Sequence, residues 1–570
     1  MKKLVVITLL ITSSLFAQSL DDLYNSVLVL GNKKGTVNNT NIMSVTEQAK
    51  EKCGFTLVSQ IKTNFNRFTT SQQKVIVDIL SRPTRQTSAV SASGFFRIHY
   101  DTTGINAPDY FPNEKNNIQL SIDSLMMAFD SSYNFEVKYL GFEQPPDDEG
   151  EGGDNLFDVY ITKLGSGYYG YTDFEPRTDG NGYKSFMVID NKMDVPTPGI
   201  NGVRVTSAHE FHHAIQVGSY RPPLSGDEYY FEITSTSMEE FVYDSINDYY
   251  NYLPTYFKRP DRRFTYNTGN TGYDRVIWNI YLKEKFEREG TDPMKGFKVI
   301  KKSWEVMRNY QYTAIEALSI ALSENGLDIK SSFNDFGVWC YFTGKRAQEG
   351  KYFDEAKNYP LITPVAKYEY FPPKKTYSMT IQPIANNYLI FDLSYSGIND
   401  TLVSIITNSD VNSAAKDPFP SIDYTYSLMT DNEDGSTHIV NEYYSKIICS
   451  NSANNDFLDE GNIFNDMVVK GVTIARHDYV YPQPYSYYKH KNNSLFIPAG
   501  TGQSDYTHLY IYNISMNLVY SANLEINKAK RTVQWNGLDN NGNKLPSGVY
   551  IYVTDSDGQI NKGKLAIIND

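Results

Sequence analysis

Apolar positions along the chain change their period several times, and the changes divide it. After residue 17 they recur at helical spacing, with Leu23, Val27 and Leu30, and later Val75, Ile76, Ile79 and Leu80, on common faces. This predicts a small helical unit over 18–92, ending in the polar linker Arg82-Pro83-Thr84-Arg85-Gln86-Thr87-Ser88. From residue 93 short β-rich runs take over: Phe95 to Tyr100, Asp158 to Thr162 and Lys184 to Asp190, interrupted by one helical stretch near 117–131. After Pro198-Gly199 the spacing predicts helices near 203–218, 229–247, 273–287, 311–323 and 332–345, with Thr206 and Ser207 as cap candidates for the first. Strands followed by helices, without βαβ alternation, indicate an α+β domain over 93–350. Beyond Pro364 the period returns to two. That predicts a β-sandwich over 366–485 and a last unit over 492–570, built of short strands joined by Asn-Gly and Ser-Gly turns.

The first 17 residues stand apart from this scheme. Met1-Lys2-Lys3, an apolar stretch from Leu4 to Ile11 and the small-residue end Ser13 to Ala17 read as a secretory signal peptide cut after Ala17. The stretch is too short, and its flank too polar, for a membrane-spanning helix. The mature chain is therefore expected to be secreted or held at the cell surface. With 53 Lys+Arg against 66 Asp+Glu the formal charge is −13, which argues against a nucleic-acid partner. An excess of Tyr, 46 residues, favours strands and agrees with the β-rich second half. Export permits disulfides, yet Cys53, Cys340 and Cys449 are odd in number and far apart, so they form no disulfide framework.

Chemistry concentrates at 209–240. Three of the eight histidines fall in His209-Glu210-Phe211-His212-His213. Read as H-E-x-x-H on a helix, the run sets His209 and His213 one turn apart on one face, where both can bind a single ion, with Glu210 beside them to take a proton from water. His212 points about 100° away from His213 and is expected at the surface or behind a ligand. A third protein ligand is needed, and a His in the spacing Gly-x-x-His after the motif is excluded, because Gln216 and Ser219 stand there. The next acidic residue of interest is Glu232, separated from His213 by eighteen residues, with Glu239 seven further on.

On this motif and spacing the stretch 94–350 resembles the gluzincin metallopeptidases, the superfamily of thermolysin and the membrane-alanyl-type aminopeptidases. It is closest to secreted bacterial metallopeptidases of strand-then-helix layout. The resemblance implies a zincin-like domain in which His209, His213 and Glu232 hold Zn²⁺, Glu210 is the general base, and Glu239 accepts a hydrogen bond from a ligand imidazole. Glu at +7 matches the aminopeptidase branch, whereas Phe231-Glu232-Ile233 departs from its usual Asn-Glu-Gly, which leaves endopeptidase action as the expectation. The substrate would be a peptide or protein.

Other features are less specific. Tyr273, at the start of the next predicted helix, is the expected donor to the oxyanion, ahead of Tyr266. The segment Gly167 to Thr172 suits a strand that pairs with extended substrate. The acidic run Asp147 to Asp154 has oxygens suited to Ca²⁺ but meets no ligand spacing. Asp539-Asn541-Asn543 lacks the glycine of an EF-hand loop and reads as a hairpin turn. Cys53-Gly54, in a unit that is often a prosegment in secreted hydrolases, raises the idea of a thiolate capping the metal. The tail, through Trp535-Asn536-Gly537, Asp539-Asn540-Asn541-Gly542 and Pro546-Ser547-Gly548-Val549-Tyr550, resembles Ig-like C-terminal domains of the flagellar hook-capping or type IX sorting kind, which implies contact with secretion machinery. Two functions compete: a secreted zinc peptidase, or a surface adhesin or carbohydrate-binding protein whose metallopeptidase domain is vestigial.

Overall fold

The computed structural model describes residues 19–33, 52–369, 382–392 and 480–569, apart from short gaps at 181, 224–225, 267–271, 291, 310, 481, 491–493, 500–503 and 528–530. It also describes the backbone of strands Ser421–Asp431, Thr437–Ile448 and Met467–Lys470. The expected signal peptide at 1–17 and Cys449 lie outside the described residues. The chain is α+β, with helices at its N-terminal end and β-sheets at its C-terminal end, and it divides into two compact units.

In the first unit, a five-stranded sheet is built from β1 (Thr87–Val90), β2 (Phe96–Tyr100), β3 (Phe157–Thr162), β4 (Gly170–Pro176) and β5 (Tyr183–Asp190), in the order β1-β2-β3-β5-β4. β2, β3 and β5 run parallel, while β1 and β4 close the two edges antiparallel to their neighbours. Thr87 and Ser88, expected in a linker, thus belong to the sheet. Their pairing with Tyr100 and His99 outweighs a polar composition that suggested a loop.

Both faces of the central strands are buried, as parallel strands require. Val159, Ile161, Met187 and Ile189 face the main core, whereas Tyr160, Tyr171, Phe186 and Val188 face a separate apolar cluster. That second cluster is completed by the N-terminal helices α1 (Leu20–Leu30), α2 (Phe55–Asn64) and α3 (Thr70–Leu80), through Leu23, Val27, Leu57, Ile61 and Ile76. Capping boxes at Ser19 and Thr69 start α1 and α3.

On the main-core side lie α4 (Asn117–Tyr133), α5 (Gly199–Ile215) and α6 (Glu228–Val242). Thr206 and Ser207 are not caps. The helix begins four residues before the predicted start, behind Pro198, whose extended backbone supplies the N-cap. Ser207 instead returns its hydroxyl to the Val203 carbonyl at 2.8 Å. Every residue of α5 from Val205 to Ile215 is buried, so its apolar stripe merges into a polar one and its boundaries were hard to read. Further helices at Ile277–Glu289, Ala314–Glu324 and Ile329–Tyr341 match expected ones. Lys295–Met307 forms an additional helix that the spacing did not predict.

The stretch expected as a β-sandwich contributes five strands, Ala366–Glu369, Leu389–Asp392, Ser421–Asp431, Thr437–Ile448 and Met467–Lys470, all in one sheet. In the C-terminal unit a five-stranded sheet, including Tyr506–Asn513, Gly548–Ser556 and Gln559–Ile568, and a two-stranded one, Leu495–Pro498 with Thr532–Trp535, share a core of Ile497, Leu509, Val533, Trp535 and Leu565. Asp539 accepts from the backbone of Asn541 and Asn543 at 2.8 Å, which makes the expected hairpin turn. No helix among the described residues is long and apolar enough to cross a membrane.

Gly272 sits against α6 with φ +113°, and a Cβ there would lie 2.3 Å from the Tyr229 carbonyl and 2.9 Å from the Glu232 Cβ. Gly272→Ala is therefore expected to destabilise the chain by about 2 kcal/mol or more. A thermal melt indistinguishable from wild type would contradict this packing.

Candidate metal centre

α5 and α6 pack face to face and bring the predicted residues together. His209 and His213 project from one face of α5, and their Nε2 atoms lie 3.1 Å apart. Glu232 of α6 sets its Oε2 3.2 Å from His209 Nε2 and 3.4 Å from His213 Nε2. Two nitrogens bound tetrahedrally to one ion at about 2.0–2.1 Å would stand about 3.3 Å apart, so the spacing suits a shared metal.

The far side of each imidazole is fixed. His209 Nδ1 meets the Glu239 carboxylate at 2.6 Å, the part expected of Glu239, since residues seven apart on α6 share a face. His213 Nδ1 meets Gln216 Oε1 at 2.8 Å. The Gln216 amide nitrogen donates to the Phe231 carbonyl and to Thr234, which orients its oxygen toward the ring. With Nδ1 of both rings donating outward, both Nε2 atoms and a Glu232 oxygen converge as acceptors on one point. That point suits a cation, either a proton shared by His209 Nε2 and Glu232 or a metal ion.

Electrostatics state the same demand. Burial opposes an imidazolium at His209, but hydrogen bonds to Glu232 and Glu239 override it and raise its pKa to about 9. Burial likewise opposes charge on Glu232, yet His213 and His209 hold its carboxyl well below the usual carboxylate range. Glu210, Glu232, Glu239 and Asp248 are all buried, and the cation found among them is Lys52, 2.6 Å from Glu239 and 2.7 Å from Asp248. Burial works against Lys52, but Asp248 and Glu239 more than compensate and raise its pKa. Four buried carboxylates face one ammonium and the His209 imidazolium, an acid-rich cluster that a divalent cation in place of the His209 proton would suit.

A fourth group joins the cluster. The Cys53 sulfur lies with ligand atoms of His209, His213 and Glu232, all within 4.8 Å of one another, the one such group among the described residues. Two imidazoles, a carboxylate and a thiol are a donor set for a zinc-like ion. Burial pushes the Cys53 thiol up, and the Glu210 and Glu232 carboxylates beside it push the same way. A bound dication reverses that preference.

Glu210 lies beside Cys53, and the Thr172 hydroxyl of β4 is 2.8 Å from its Oε2. A small cavity bordered by Cys53, His209, Glu210 and Glu239 adjoins it. Tyr273 is buried with its ring 6.0 Å from that of His209, and its hydroxyl faces the Cys53 backbone N–H at 3.4 Å, so this tyrosine does reach the site. His212 is neither exposed nor a ligand. It is fully buried, and its Nδ1 meets Glu136 at 2.8 Å; burial pushes the Glu136 carboxyl up and the His212 imidazole down. The acids expected near 147–154 face cations: Asp148 meets Arg82, Asp154 meets Arg97, and Glu149 and Glu151 meet Lys184.

Lys52, Asp248, Gln216 and Thr172 were not singled out by sequence. Nothing local marks them: Lys52 and Glu239 are 187 residues apart, and Gln216 drew notice only for standing where a glycine would suit another ligand arrangement.

Titration with Zn²⁺ should load about one equivalent. His209→Ala should abolish tight binding, and Glu239→Gln should weaken it by about 10–100-fold. Equal affinity in all three chains by calorimetry would refute the centre.

Residues 489–558 match the FlgD Ig-like domain family. No curated protein matches the chain. Among solved structures, PorZ, a surface component of the type-IX secretion system of Porphyromonas gingivalis, is 24% identical over 16% of this chain and 11% of its own, with a TM-score of 0.13. Dimeric latent PorU from the same organism is 17% identical over 30% of this chain and 20% of its own, with a TM-score of 0.14. The chain thus spans a fifth or less of these relatives, and the part assigned to a family is an Ig-like domain at its C-terminal end.

Proposed function

We propose that the chain is a secreted zinc-dependent peptidase of the gluzincin type, with a zincin-like domain formed by the five-stranded sheet, α4, α5, α6 and the helices after them. The observation that carries this reading is the convergence of His209, His213 and Glu232 on one buried point beside Glu210. His209, His213 and Glu232 would hold the ion. Zinc, when bound, lowers the pKa of water towards neutrality and polarises a scissile carbonyl.

The remaining work falls to side chains. Glu239 and Gln216 fix the orientation of His209 and His213, and so keep both Nε2 lone pairs directed inward. Glu210 accepts the proton of the attacking water on a carboxylate oxygen and delivers it to the leaving amine. Thr172 holds that carboxylate in place. The Tyr273 hydroxyl donates to the oxyanion that develops on the carbonyl. β4, the edge strand of the sheet, would pair with the extended backbone of a peptide substrate where Cys53 now bridges Gly170.

Export by the N-terminal signal sequence is part of the same proposal, and the Ig-like domain at 489–558 is read as the element that meets secretion machinery. An adhesin with a decayed site would have no use for a general base beside three ligands.

Because Cys53 lies in the cluster, the test is made in Cys53→Ala chains loaded with zinc. Cys53→Ala is expected to cleave unfolded casein. Adding Glu210→Gln should lower the rate at least about 100-fold while leaving zinc bound. Equal rates, or none in either chain with zinc bound, would sink the peptidase reading.

A further inference from the structure

The segment Lys52–Thr56 lies across the centre just described, and the side chains of Lys52, Cys53, Phe55 and Thr56 each touch a part of it. Cys53 forms a parallel bridge with Gly170, the first residue of edge strand β4. The Gly54 N–H donates to the Gly170 carbonyl at 2.9 Å, and the Tyr169 N–H donates to the Lys52 carbonyl at 2.7 Å. Lys52 reaches Glu239 and Asp248, and its ammonium is ringed by Tyr169, Tyr252 and Tyr273 at 5.0–5.8 Å. The Phe55 ring stacks on His213, with centroids 4.0 Å apart at 14°. Thr56 donates to Glu232 Oε1 at 2.8 Å. Gly54 has no room for a side chain, since a Cβ would lie 2.9 Å from the Tyr171 Cβ.

We infer that this segment is a built-in latency device: the Cys53 sulfur is the fourth ligand of the metal, and the strand Lys52–Gly54 occupies the β4 edge that a substrate backbone would use. The inference rests on the metal-binding reading of His209, His213 and Glu232, and adds regulation to it. Four protein ligands close a tetrahedral site, whereas hydrolysis requires one position open to water. Here the closing ligand does not come from the helices that hold the other three. It comes from a segment joined to α2, whose apolar residues pack in a cluster of their own with α1, α3 and the outer sheet face. When Cys53 leaves the ion its thiolate takes a proton and a water enters the vacated position, so no oxidant or reductant is required. Lys52 fastens the strap by giving two buried carboxylates their cation, and Phe55 covers the open side of a ligand ring.

Cobalt serves as a probe, because a thiolate bound to Co²⁺ gives a near-ultraviolet charge-transfer band that imidazole and carboxylate ligands do not. The full-length chain with one equivalent of Co²⁺ should show that band. Cys53→Ala should lack it, yet still bind one equivalent of Co²⁺ or Zn²⁺ and retain the wild-type far-ultraviolet circular dichroism. Gly54→Val, which keeps the thiol but cannot seat on β4, should lose most of the band and gain alkylation of Cys53, identified by mass spectrometry, by about tenfold. Two outcomes overturn the inference while leaving the metal centre standing: a metal-loaded wild-type chain without the band, or a Cys53→Ala chain that loses the metal, which would make Cys53 a structural ligand. If neither chain binds Co²⁺ or Zn²⁺, the metal centre itself fails and the cap fails with it.

Discussion

Charge buried between α5 and α6 is the constraint on which the first unit is organised. Carboxylates and imidazoles removed from water cost several kcal/mol each unless they are paired. The chain buries Glu210, Glu232, Glu239, Asp248, His209 and His213 in one place. Each is held by a specific partner: Thr172 for Glu210, Thr56 for Glu232, Lys52 for Glu239 and Asp248, Glu239 for His209, Gln216 for His213. The two Nε2 atoms stand 3.1 Å apart and the Glu232 carboxylate 3.2 Å from His209, enclosed by the sheet and the helices behind it. Acceptors gathered in a dry interior are stable where a proton or a cation lies between them.

The centre was legible from sequence to the extent that it is local. His209, Glu210 and His213 declare themselves by spacing on a single helix, and Glu232 and Glu239 by their repeat on the next. Helical periodicity and the strand runs located most elements of the first unit for the same reason. Where the reading failed, the cause is tertiary. Thr206 and Ser207 looked like caps because polar residues inside a helix usually mark its end, but α5 is buried from Val205 to Ile215 and Ser207 returns its hydroxyl to Val203 within the helix. His212 was expected at the surface or behind a ligand from its offset of about 100° from His213; it is buried instead, on a partner, Glu136, that lies 76 residues away. Thr87 and Ser88 looked like a linker because their partners in β2 come later in the chain.

The strap was the least legible part. Cys53 carries no motif, and its significance depends on a pairing with Gly170 that joins residues more than a hundred positions apart. Local patterns marked α1 and α3 on either side of α2 and stopped there. Only the packing of α1, α2 and α3 on the outer sheet face, through Leu57 and Ile61 against Tyr171 and Val188, fixes where the residues before α2 must run.

Glu239 has two partners at once, the imidazole of His209 and the ammonium of Lys52. A carboxylate shared in this way has less negative charge to spend on either. Under the latency inferred above, withdrawal of Lys52 would leave Glu239 to pull harder on the Nδ1 proton of His209 and make its Nε2 a stronger electron donor. An ion held there would then be gripped more firmly by His209 as it lost the sulfur. By thermodynamic reciprocity, whatever strengthens His209 as a donor would loosen the grip of Glu239 on Lys52. Opening and metal retention would thereby be coupled through one side chain, which would let a latent centre open without surrendering its ion.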